Sequence, residues 1–275
     1  MPSSQPRPVA VADISLGWTS TFLRASRAET IKLLSLRFFL VTATGTVLAC
    51  VLLSWGLTAL IAEAHREGKP ENAGGLESGS AFLLVLHYGQ IGLILLAAWT
   101  MHQEADAGSL RSTLVSVPRR SCVLAAKAAV VATGSLCVAL PSVFGSAAIR
   151  CVPIDCTASG SGLAPDAVTW AILWGVVVYW LLISIFTFAL AVILRSGLTA
   201  MATVLALALI VSTYLLHITP LAKALPDQAG AQLYQLPPVP PGDLGPIAGG
   251  LILLAWSLAA LLLALIVFRS QPVRG

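Results

Sequence analysis

Six stretches of this sequence are apolar for long enough to cross the ~30 Å hydrocarbon core of a bilayer, a crossing that takes about 20 helical residues. They run over about 38–62, 79–101, 123–149, 168–194, 197–218 and 245–268. Nothing else in the chain constrains its fold so tightly. A segment in lipid must satisfy its own backbone N–H and C=O groups, which leaves helices or a closed barrel. A barrel needs short alternating strands, and the sequence lacks that pattern. It therefore predicts an all-α integral membrane protein with six transmembrane helices. Composition agrees. Of 275 residues only 10% are charged and 57% are hydrophobic, against roughly 25% charged in a soluble domain. Too few polar residues remain to make a water-facing surface. The fourth and fifth spans are separated only by Arg195-Ser196-Gly197, which reads as a tight helical hairpin.

Orientation follows from lysine and arginine, which concentrate on the cytoplasmic side of membrane proteins. With both termini inside, the inner segments hold Arg7, Arg24, Arg27, Lys32, Arg37, Arg111, Arg119, Arg120, Lys127, Arg195, Arg269 and Arg274. The outer loops hold Arg66, Lys69, Arg150 and Lys223. Acidic residues lean the other way, with Asp13, Glu29, Glu104 and Asp106 inside and the other eight of the 12 outside. Adding or removing one span would spoil this split, so charge supports the count of six independently of hydropathy. The start of the chain shows no cleavable secretory signal, and the first span is expected to act as an uncleaved signal anchor.

The domain organisation expected is a disordered cytoplasmic tail over 1–17, an amphipathic interfacial helix over 18–36 and one six-span domain over 37–275. In the 18–36 segment Trp18, Phe22, Ala25, Ile31 and Leu34 fall broadly on one helical side, with Arg24, Arg27 and Lys32 elsewhere. That arrangement suits a helix lying in the membrane interface. The outer loop 150–167 contains Cys151 and Cys156. These face an oxidising compartment on this topology, which leaves open a small disulfide loop or two free thiols. Residues 219–244 are proline-rich yet apolar and are expected to lie on or dip into the outer interface.

The most distinctive segment joins spans two and three. Residues 101–127 read MHQEADAGSLRSTLVSVPRRSCVLAAK. Glu104 and Asp106 come first, then Gly108, then an amphipathic stretch. Leu110, Leu114 and Val117 recur at i, i+4, i+7, which predicts a short helix with one apolar face. Pro118 ends or turns that helix. Arg119, Arg120 and then Lys127 lead into the next span. Such a stub of helix, parallel to the membrane, offers a surface to a cytoplasmic partner.

This pattern resembles the permease subunits of type-two ATP-binding-cassette exporters. In that family a Glu near the end of the second span leads to a Gly, a Thr-Leu pair, a Pro-Arg element and a downstream Lys. Here these are Glu104, Gly108, Thr113-Leu114, Pro118-Arg119-Arg120 and Lys127. Arg27, Glu29 and Lys32 look like the family's elbow helix ahead of span one. Ala105 departs from the aromatic that many relatives place after the Glu.

The resemblance implies a fold, a partner and a mechanism. A separate cytoplasmic ATPase would dock on loop 102–122, with residues 109–117 as the coupling helix. Leu110, Leu114 and Val117 would carry the contact, while Arg111, Arg119 and Arg120 orient it. No cofactor belongs to this chain, and ATP and Mg would sit on the partner. Half of a translocation unit is encoded, so a second copy or a sister permease is expected. The expected setting is a bacterial plasma membrane, with export of a hydrophobic or amphiphilic cargo such as an antibiotic, lipid or peptide.

Several motifs are missing. A phosphate-cradling loop needs G-x-x-x-x-G-K-[ST]. The single Gly-Lys pair, Gly68-Lys69, is followed by Pro70 and preceded at the required spacing by Glu63, so any motor is another protein. No span carries Lys, Arg, Asp or Glu near its midpoint, which speaks against ion-coupled transport. Other readings stay open. One is a membrane anchor or assembly protein whose 101–127 loop merely docks a partner. Another is an intramembrane enzyme using Ser212, one turn before His217, or a haem carrier using His87 and His217. No metal site is expected. Gly245-x-x-x-Gly249, at the start of the sixth span, is a weak signal for close helix packing.

Overall fold

The computed structural model describes residues 18–68, 78–107, 120–150, 167–235 and 243–270. Among them there is helix and turn but no strand. Helix α1 spans Trp18–Ser35. The six apolar helices come next: α2 Arg37–Arg66, α3 Ser78–Ala107, α4 Arg120–Ile149, α5 Ala167–Leu194, α6 Gly197–Leu216 and, after a short α7 at Pro226–Ala231, α8 Pro246–Arg269. All six are long and apolar enough to cross a membrane. They fall where hydropathy placed them, to within a few residues. Helix α4 runs unbroken through Pro141.

The spans are sorted by depth. In their most apolar windows α3 and α5 are 61% and 67% buried, whereas α2 and α6 are each 22% buried. Helices α3 and α5 therefore form the centre and α2, α6 and α8 the rim. Trp180, Tyr179, Phe188, Leu86, Leu93, Ile94 and Ile183 on the central pair are nearly solvent-free. The rim turns Leu48, Leu52, Leu53, Leu251, Leu262 and Ile266 outward. An apolar belt of this kind suits lipid.

In lipid the hydrophobic effect does little to join apolar helices, so close packing must do so. Small residues permit it. A Cβ added at Gly92 of α3 would collide with Thr46 of α2, and one at Gly89 would lie 2.7 Å from Cys50 Sγ. The turn between α5 and α6 holds Arg195 at φ 54, the left-handed region. Ser196 then caps α6, its side chain accepting from Thr199 N. The hairpin expected at 195–197 is present.

Six crossings bring the start of α2 and the end of α8 to one end of the bundle, called the near end. There Phe38 of α2 stacks on Trp99 of α3 with ring centroids 3.9 Å apart. At the far end Ile61 and Ala64 of α2 pack with Ala81 of α3.

Candidate functional site

At the near end, helix α1 packs across the first turns of α4. Its one strongly buried acid is Glu29, 9% exposed. Lys127 Nζ of α4 donates to Glu29 Oε2 at 2.7 Å, and Lys32 Nζ donates to Oε1 at 3.1 Å. Each carboxylate oxygen thus takes a different lysine. The Lys127 side chain is 6% exposed and that of Lys32 is 48% exposed. The first pair is an inter-element tie and the second a local i,i+3 contact. Three residues singled out in the sequence, 98 positions apart at the extremes, meet here. Arg27 does not join them and stays exposed.

The apolar side expected on α1 is divided. Phe22 and Ala25 are half-buried, but Ile31 and Leu34 are 60% and 55% exposed. The helix turns Glu29 toward the bundle and these side chains away from it. Glu104 and Asp106 lie on the last turns of α3, and Arg120 opens α4. Gly108, Leu110, Arg111, Thr113, Leu114, Val117, Pro118 and Arg119 fall outside the described residues, as do Cys151, Cys156 and the 1–17 tail. The two helices that frame the 102–122 loop are therefore described, and α1 is bound to one of them.

The far end holds a polar cluster whose assembly hydropathy and motif spacing do not reveal. Residues 219–235 fold into a 3-10 turn at Pro220–Ala224, helix α7, and a second 3-10 turn at Gln232–Tyr234. This segment packs against α5 and α8. Glycines on both helices admit it. A Cβ at Gly175 of α5 would run into the Leu233 carbonyl, and one at Gly249 of α8 would run into the Ala229 carbonyl. Of the Gly245-x-x-x-Gly249 pair only Gly249 makes this approach; Gly245 precedes α8 at φ 76 and an added Cβ there would meet nothing within 4 Å.

Asp227 on α7 is 2% exposed. Ser212 Oγ of α6 donates to its Oδ1 at 2.6 Å, and Gln228 Nε2 donates to Oδ2 at 3.0 Å. Burial pushes the Asp227 carboxyl above its ordinary range, while these hydrogen bonds pull it back down. Tyr234 reaches into the bundle. Its hydroxyl lies 3.4 Å from His87 Nδ1 of α3, and its ring is 5.4 Å from that of Tyr179. The Tyr179 hydroxyl donates to Gln90 Oε1. Burial and the nearby Asp227 charge both push the Tyr234 hydroxyl up. The cluster descends from Asp227 at the far end to Gln90, halfway along Ser80–Met101. Its signals in the sequence were His87 and Ser212, whose partners here are Tyr234 and Asp227 and not His217, together with Gln90 and Tyr179.

Two further features flank it. Arg150, just past α4, is 2% exposed with its guanidinium carbon 4.4 Å from the Phe82 ring centroid. Burial lowers its pKa to about 10. Between α2 and α3 runs an apolar groove of about 360 Å³, lined by Thr46, Leu53, Val85, Tyr88 and Leu95 among others. Among the described residues, no three His, Cys, Asp or Glu side chains stand close enough to hold a metal.

The six apolar helices, their lipid-suited rim and their glycine contacts define a multi-pass α-helical membrane protein. No protein-family model, curated protein or solved structure matches the chain.

Proposed function

We propose that this chain is the membrane-spanning permease subunit of an ATP-driven exporter, worked by a separate cytoplasmic ATPase bound at its near end. One observation carries the reading most: helix α1 is fastened to the first turns of α4 by the buried Glu29–Lys127 pair, 2.7 Å long. A push delivered to the loop before α4 would then move α1 and α4 as one piece. A basic loop that merely sets topology has no need of such a tie. The motif residues Glu104, Gly108, Thr113-Leu114 and Pro118-Arg119-Arg120 lie in or beside that loop. Coupling requires the partner to bind the two permease states with different free energies, and the apolar side chains Leu110, Leu114 and Val117 are suited to that contact.

In this reading the near end is cytoplasmic, as the excess of lysine and arginine there supports. The cargo is hydrophobic or amphiphilic. Support comes from spans without acids or bases at their midpoints and from the apolar groove between α2 and α3. Two copies, or this chain and a sister permease, complete the unit.

The test is affinity purification of the tagged chain in a mild detergent. A chain bearing a phosphate-cradling loop is expected to co-purify in comparable amount and to hydrolyse ATP. Leu114→Asp should abolish its retention, and Glu104→Ala should lower the turnover without releasing it. Retention of no nucleotide-binding chain, or indifference to both substitutions, would overturn the proposal.

A further inference from the structure

The far-end segment 219–235 is held by a contact that depends on an irregular turn. Helix α6 is α-helical over Gly197–Ala206, becomes a π-helix over Leu207–Val211 and returns to α over Ser212–Leu216. Its buried positions run Gly197, Ala200, Val204, Ala208 and Ser212. An unbroken α-helix repeats every 3.6 residues, so two turns beyond Val204 the inward position would be Val211. Instead Val211 is 44% exposed and Ser212 is 0% exposed. The π turn absorbs one extra residue and rotates the remainder of the helix by about 100°. That rotation is what aims the Ser212 hydroxyl at Asp227.

A second, independent observation concerns the seated segment and the α3 helix beneath it. Gln90 Nε2 and Gln232 Oε1, on side chains 0% and 5% exposed, have no hydrogen-bond partner among the described residues. Unpaired buried amide atoms are costly. Water reaching them from the far end would satisfy both.

We infer that residues 219–235 form a plug over the far end of the bundle, and that the π turn of α6 is the switch that holds it. With the π turn present, Ser212 faces in, hydrogen-bonds Asp227 and seats α7 on the glycines of α5 and α8. Reversion of Leu207–Val211 to α-helix turns Ser212 away and brings Val211 in. Asp227 then loses a donor in a dry site and is driven toward water. The plug lifts, and His87, Tyr234, Tyr179 and Gln90 become hydrated. This device rests on the far-end geometry and stands whether or not an ATPase drives the protein.

Amide hydrogen exchange on the full-length chain in lipid nanodiscs tests it. In Ser212→Ala and Asp227→Ala, the amides of 229–234 should exchange about tenfold faster, the loss expected for one buried hydrogen bond. The amides of α5 should stay protected, which shows that the bundle is folded. Ser212→Thr keeps a hydroxyl and should keep wild-type protection. Deletion of Leu209 gives the opposite sign. It removes the extra residue, so an unbroken α-helix now carries Ser212 inward permanently, and 229–234 should exchange no faster than wild type. Unchanged protection in Ser212→Ala and Asp227→Ala would overturn the hydrogen bond as the holder. Loosening of the plug by the Leu209 deletion, with α5 still protected, would overturn the π turn as the switch.

Discussion

Glu29 shows how a single residue gains its role from what it touches. In sequence it is one acid in a basic segment. In the structure its two oxygens are shared between Lys127 and Lys32. Removing one partner of a buried ion pair costs several kcal/mol, whereas replacing both is often nearly neutral. Lys32 remains as partial compensation here, so Lys127→Met should destabilise by about 1–3 kcal/mol and Glu29→Gln by a similar amount. The double variant should lose less than the sum of the two. Thermal unfolding of the purified protein in detergent measures this cycle. Strict additivity would mean that the two side chains do not interact in the folded protein. Asp227 is the counterpart at the other end, an acid whose partners, Ser212 and Gln228, are neutral.

That difference decides how the far-end element responds to pH. The Asp227 carboxyl is raised by burial above its ordinary 3.8. The folded segment therefore binds a proton at pH values where the unfolded one has released it. Its stability is fully present below about pH 4 and falls as pH rises through the raised folded value. The groups facing it are Tyr179 of α5 and Tyr234, with the Lys223–Asp243 ion pair, 2.7 Å long, at the base of the segment. Protection of the 229–234 amides, corrected for intrinsic exchange, should decline as pH rises above about 4. Asp227→Asn should flatten that decline while leaving the His87–Tyr234 contact in place. An unaltered pH profile in the variant would assign the effect to another group. At this scale the sequence was only partly legible. Apolar proline-rich residues at 219–244 pointed to a segment against the membrane. Its seat depends on Gly175 and Gly249, which are 74 positions apart.

The whole molecule is organised by depth and by charge. Burial separates α3 and α5 from the rim helices, and lysine and arginine separate the two ends. If charge sets orientation, a fluorescent reporter that matures only in the cytoplasm should light up when fused at the C-terminus. A cysteine placed at position 72, in a chain whose Cys151 and Cys156 are replaced by serine, should react with a membrane-impermeant thiol reagent added outside intact cells. Outside exposure of the C-terminus would invert the topology and move the proposed ATPase contact to the wrong side.

The sequence by itself determined the six spans, their limits to within a few residues and the hairpin at 195–197. Length and hydropathy are local properties, and a bilayer imposes the same length on each crossing. It also singled out Glu29 and Lys32 in the segment before the first span and Lys127 at the entry to the third, with nothing to say that they meet. Only the tertiary structure decided that Glu29 and Lys127 bond across 98 positions, that α3 and α5 are central, and that Ser212 faces inward at all. Hydropathy cannot rank spans that are all apolar, and a 3.6-residue period cannot foresee a π turn. Which side chains meet is settled by how helices cross, and that depends on the shape of every neighbour at once.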